Sequence, residues 1–87
     1  MRYAGGDSYE GEWKDDVREG RGVFNYSDGM ADVAIWRGGR SVYGVRWNGD
    51  RTIARRLVDG MDGDFVGMKV ALSIGREVGV DGIPERS

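Results

Sequence analysis

Cysteine and histidine are both absent from this chain, and proline occurs once. Without cysteine there is no disulfide or thiolate chemistry. Without histidine as well, the commonest general base, nucleophile and metal ligands are gone, and only carboxylates and hydroxyls remain for catalysis. The expectation is a non-enzyme with no catalytic residue, no cofactor and no metal site. Long apolar runs are missing too. The longest spans only a few residues, too short for a membrane-spanning helix or the apolar core of a signal peptide. Excess positive charge is also lacking: the net charge is -2 and the pI near 5.0, which gives nucleic acid little to hold.

What is present is glycine, 16 residues against the single proline, a balance that favours turns and bulges over disorder. At 87 residues the chain makes one small unit with a modest core. Its strands announce themselves by alternation. In Tyr9-Glu-Gly-Glu-Trp13, the residues Tyr9, Gly11 and Trp13 share one face and Glu10 and Glu12 the other. After a polar connection from Lys14 to Arg18 the parity resumes: Gly20, Gly22, Phe24 and Tyr26 lie on one face, Arg21, Val23 and Asn25 opposite. Gly11, Gly20 and Gly22 are placed to give the large rings floor space. This parity puts Trp13 in an aromatic core, where truncation costs about 3–5 kcal/mol, whereas an exposed Glu12 matters by less than about 0.5.

Tyr9, Gly11, Trp13, Gly20, Gly22, Asp28 and Gly29, in that spacing, resemble the MORN (membrane occupation and recognition nexus) repeat. The resemblance implies a period of about 23 residues. That step carries Trp13 to Trp36, Tyr9 to Asp32, Gly11 to Ala34 and Asp16 to Gly39, after which the register slips by one and Gly22-Val-Phe24 aligns with Gly44-Val-Arg46. A fainter echo places Ile53, Arg55, Leu57 and Gly60 at the positions of Tyr9, Gly11, Trp13 and Asp16. Run backwards, the same step makes Met1 to Ala4 the second strand of a repeat whose first strand is missing, as expected of the C-terminal part of a longer array.

Two local signals complete the reading. Asn48-Gly49, between strand-like segments, predicts a tight two-residue hairpin turn. From Asp64 the period becomes helical, with Met68, Ala71, Leu72, Gly75 and Val78 on one face, Asp64 as N-cap, and Gly79 and Val80 forming a Schellman ending. The fold expected is mainly β: an open, twisted antiparallel sheet of consecutive hairpins with a short C-terminal capping helix. Residues 1–60 form the hairpin repeats, 61–80 the helical cap and 81–87 a loose tail.

Other patterns weigh less. Asp59-Gly-Met-Asp62-Gly-Asp64 lacks the glutamate that closes a calcium loop and reads as a turn. Glu19-Gly-Arg-Gly22 lacks the lysine and helix of a phosphate loop and reads as strand. Arg46, Arg51, Arg55 and Arg56 are the candidate contacts for a lipid or a partner, although alternation splits Arg55 from Arg56. The resemblance implies a scaffold that contacts a protein partner or a second copy of itself, in the cytoplasm at the periphery of membrane or cytoskeleton. Its alternative is peripheral binding to anionic phospholipid headgroups. The net charge and the acids Glu10, Glu12, Asp15 and Asp16 weigh against that alternative.

Overall fold

The structure is a computed structural model that describes residues 3–80, Gly82 and Pro84. A 3-10 turn at Ala4–Gly6 leads into β1 (Ser8–Lys14), β2 (Val17–Asn25), β3 (Ala31–Arg37), β4 (Arg40–Trp47), β5 (Ala54–Val58) and β6 (Met61–Val66), followed by α1 (Met68–Glu77). The strands form one antiparallel sheet in sequence order, with β1 and β6 at its edges. Of the lone strand expected at residues 1–4, Met1 and Arg2 lie outside the described residues and Ala4 opens the 3-10 turn. Of the tail expected to be loose, only Gly82 and Pro84 are described, and the Pro84 carbonyl accepts a bond of 3.0 Å from Arg51 Nε.

The hairpins alternate tight and wide. Three connections are two residues long, Asp15-Asp16, Gly38-Gly39 and Asp59-Gly60, and in each both residues have positive φ. That is the turn whose twist matches flanking strands, and glycine and aspartate are among the residues that adopt it most readily. Each tight hairpin also carries a register shift, between Gly11 and Trp13, Ile35 and Trp36, and Arg55 and Leu57, whereas the pairings β2–β3 and β4–β5 carry none. Turn and bulge therefore recur together, and they put Trp13, Trp36 and Leu57 in equivalent places.

Three expectations are corrected. Asn48-Gly49 does not make a two-residue turn. The Asn48 side-chain oxygen accepts from the Thr52 and Ile53 amides, which stabilises a wider loop, and Arg51 rather than Gly49 takes the positive φ, at 64°. Residues 61–66 are strand, not helical cap, because Asp59-Gly60 is itself the tight turn that folds Met61–Val66 back on β5. Asp64 consequently sits within β6, and the N-cap position belongs to Gly67, which supplies no side-chain bond. The Schellman ending does form: Gly79 N donates to Arg76 O at 3.1 Å and Val80 N to Gly75 O at 2.8 Å.

The central strands are buried on both sides. On one face Val33, Val45, Trp47 and Ala54 pack under Ala71, Ile74 and Val78 of α1. The helix thus covers a face of the sheet rather than capping its end at β6. On the other face Tyr9, Phe24, Ala34 and Trp36 make a second, aromatic core. Tyr9 lies flat over Gly22, where a Cβ would overlap its ring and hydroxyl. Trp36 is 4% exposed and its indole N–H donates to Gly22 O at 3.0 Å, but Trp13 stands at the edge strand and is 37% exposed. Of the two equivalent repeat tryptophans, the buried one is Trp36 in the second repeat.

Trp36→Ala is expected to lower stability by about 3–5 kcal/mol, and Trp13→Ala by clearly less because part of its ring is already in water. Urea midpoints with unchanged slope would check this, and equal shifts would contradict it. Gly22→Ala should cost about 1–3 kcal/mol by forcing Tyr9 off its floor.

Candidate functional site

The aromatic side of the sheet is built by parity and by contact between rings. Tyr9 stands edge-on to both Trp13 and Trp36, with centroids 4.9 and 5.6 Å apart, and Phe24 meets Tyr26 at 4.8 Å. Tyr3 stacks on Phe24 at 5.5 Å. Tyr9 and Trp13 therefore share a side, as their spacing predicts. Such edge and offset contacts add about 0.5–1.5 kcal/mol each beyond burial.

Further along the same face the repeat changes chemistry. Asp32 replaces the repeat tyrosine, is 1% exposed, and faces Arg46 across β3 and β4. Arg46 grips it with two bonds, Nε to Oδ1 at 2.6 Å and Nη2 to Oδ2 at 2.8 Å, while Nη1 bonds Asp62 on β6. The Tyr26 hydroxyl donates to Asp32 Oδ2 at 2.6 Å and accepts from Arg46 Nη2. Every charge here has a partner, as a buried ion pair requires. Burial first, and then the bond to Asp32, push the Tyr26 phenol up to about 12. Bonding to Asp32 holds the Arg46 guanidinium firmly charged.

Between this network and the β3–β4 turn lies an open cleft of about 320 Å³, lined by Arg18, Tyr26, Trp36, Arg40, Arg46 and Met61 among others. Arg18 forms one wall. Its guanidinium carbon sits 4.8 Å from the Phe24 ring centre and 4.9 Å from that of Trp36, and its Nη2 donates to Gly39 O at 2.6 Å. The cleft offers π-faces and guanidinium donors, chemistry suited to recognition.

The four arginines singled out from the sequence do not gather on one surface. Arg46 and Arg55 are direct neighbours across β4 and β5, but Arg46 is ion-paired and Arg55 lies 3.9 Å over the Phe65 ring. Arg56 pairs with Val45 and so points to the helix side. Arg51 is 7% exposed, and its guanidinium donates to the carbonyls of Gly29, Asn48 and Pro84. The repeat residues serve structure. Asp28 Oδ1 accepts from Met30 N, Gly29 turns the chain at a φ of 96°, Gly11 pairs with Gly22, and Gly20 takes a φ of 89°. Sequence reasoning passed over Arg18, Asp32 and Tyr26. The signal for Asp32 and Arg46 was there: both fall at inward parity, where an acid and a base must neutralise one another.

Residues 9–31, the β1–β2 hairpin with the loop after it, match the family model of the MORN repeat. This hairpin is a MORN repeat. Matching the curated proteins returns no relative. The MORN repeat belongs to non-catalytic repeat modules of binding or scaffolding type, and the matched repeat supplies Tyr9 and Phe24 of the aromatic core beside the cleft.

The raised Tyr26 phenol carries a pH signature. Its ordinary value is 10.0 and its folded value about 12, so its contribution to stability is fully present below pH 10.0 and is lost as pH rises through about 12. In Tyr26→Phe the alkaline fall in stability over that window should become shallower. It should not vanish, because burial raises Tyr9 as well. Denaturation midpoints against pH, with tyrosinate absorbance, would measure it.

Proposed function

We propose that this chain, which carries a MORN repeat, is a non-catalytic protein-interaction scaffold whose partner docks on the aromatic side of the sheet. The reading is carried by the unequal treatment of the two faces. Helix α1 covers one, while the other presents the cleft, its arginines and the partly exposed Trp13, with no element among the described residues laid over them. Half-exposed tryptophan and arginine beside a pocket are the residue types that dominate protein–protein binding energy. The partner is a protein or a second copy of this chain, met in the cytoplasm at the periphery of membrane or cytoskeleton.

Geometry supports this over lipid binding. Attraction to anionic lipid is worth about 1 kcal/mol per basic residue near the surface and needs those residues on one side. Here Arg46 is neutralised, Arg51 is enclosed and Arg56 faces away.

Two measurements test the proposal. Vesicles carrying phosphatidylserine should retain little protein at physiological salt. Strong, salt-sensitive capture that disappears in Arg55→Ala and Arg56→Ala would overturn the reading. Affinity capture by Trp13→Ala or Arg40→Gln should fall by about tenfold or more relative to the unaltered chain, whereas Lys69→Gln on the helix should leave it unchanged. Loss by the helix variant alone would move the interface to the other face.

A further inference from the structure

Arginine is unevenly satisfied around the cleft. Arg46, on one wall, has two carboxylates within ion-pair distance. Arg18, on the opposite wall, has none among the described residues, although it is half-buried. Its stacking and its bond to Gly39 hold the planar fork in place and leave Nε and Nη1 without an acceptor among those residues. Buried or half-buried charge is normally paired, so an oriented arginine that lacks a carboxylate is an unfinished ion pair.

The adjoining turn concentrates the same charge. Arg37 and Arg40 are direct cross-strand partners at the end of the β3–β4 hairpin, an arrangement in which like charges repel. Gly38 and Gly39 between them place no side chain over Arg18. The acids nearby do not neutralise the group: Glu19 Oε1 accepts from the Gly38 amide, Asp32 is held by Arg46, and Asp16 and Asp59 lie in no ion pair among the described residues. In a chain whose net charge is -2, Arg37 and Arg40 at the turn and Arg18 beside it, all outside ion pairs among the described residues, run against the average.

We infer that Arg18 and Arg40 form a receptor for a carboxylate of an extended acidic segment of the partner protein, an inference that rests on the interaction-scaffold reading and specifies its chemistry. The Arg18 fork matches a carboxylate in two parallel bonds, and its pre-orientation leaves little side-chain entropy to lose on binding. Arg40 closes over the charge from the rim. Tyr26, Trp36 and Met61 line the same cleft and receive an apolar side chain adjacent to the acid. A flat anionic bilayer fits poorly. The site is recessed, so a narrow side chain can enter it whereas a flat surface would stop at the rim.

The test is a titration of the ¹⁵N-labelled protein, followed by its amide and indole signals. The probe is a short blocked peptide alternating glutamate and phenylalanine, compared with its glutamine counterpart. Saturable shifts of Gly38, Gly39 and the Trp36 indole are expected with the glutamate peptide. Affinity should fall about tenfold or more with the glutamine peptide, and likewise in Arg18→Gln and in Arg40→Gln. Arg18 also covers Phe24, so its variant needs an unchanged thermal melt to be read. Arg40 is exposed and serves as the second variant if Arg18→Gln does not fold. Equal binding of the two peptides at these residues would remove the carboxylate receptor yet leave the docking face intact. Shifts confined to the α1 face would remove both. No shifts at all, or phosphatidylserine vesicles perturbing these residues in preference to the peptide, would also overturn the inference.

Discussion

Two consecutive residues at positive φ close each tight hairpin, and the rest of the molecule depends on that constraint. A turn of this hand preserves the twist of the strands entering and leaving it, so three copies in series give a sheet that twists continuously without splaying. The chain meets the requirement with three pairs, Asp15-Asp16, Gly38-Gly39 and Asp59-Gly60. Because each turn fixes strand register, it also fixes which parity faces the aromatic side, and a one-residue slip would exchange the two cores. The bulge that accompanies each turn re-aims one bulky side chain per repeat, Trp13, Trp36 or Leu57. Leu57 is fully buried and Trp36 almost so, and the edge copy alone is left partly in water.

A sheet this small needs both faces, and the chain covers them by different means. One is sealed by an amphipathic helix whose Ala71, Ile74 and Val78 follow helical spacing. The other is sealed by its own rings, which reach across glycines cut out for them: Tyr9 over Gly22 leaves no room for a Cβ beneath it. The aromatic residues that make the repeat recognisable are therefore mostly consumed in folding. In the proposed docking, recognition falls to the groups around them, above all the Arg18 guanidinium that covers Phe24 and Trp36.

Periodicity made the first hairpin legible in the sequence, down to the shared side of Tyr9 and Trp13, because aromatic alternation is strong and local. The tight turns were read less well. Asn48-Gly49 has the favoured composition, yet the asparagine side chain bonds forward to Thr52 and Ile53 and stabilises a wider loop. Asp59-Gly60 has the same turn chemistry and uses it, which makes Met61–Val66 a strand where a helical period appeared to begin. Composition alone cannot separate the two cases, since the outcome depends on partners several residues away. The cleft was out of reach for a related reason. Arg18 belongs to a polar connection in the linear pattern and acquires its role only when β2 and the β3–β4 turn bring it over two rings and the Gly39 carbonyl.

Charge at the sheet margins bears on how such a chain meets others. An exposed strand edge invites pairing with another chain, and both edges here are acidic: β1 carries Glu10 and Glu12, β6 carries Asp62 and Asp64. Two copies joined edge to edge would bring these acids together, whichever edges were used, and like charges across a strand pair destabilise it. Asp62 is partly excused by Arg46, but Glu10 and Asp64 have no ion-pair partner among the described residues. Arg18 and Arg40, which lie in no ion pair among the described residues, line the cleft on the open face instead. This separation discourages extension of the sheet by its own copies, and in the proposed docking it would direct attraction toward acidic groups approaching the cleft, so one distribution of charge would both protect the edges and select the ligand.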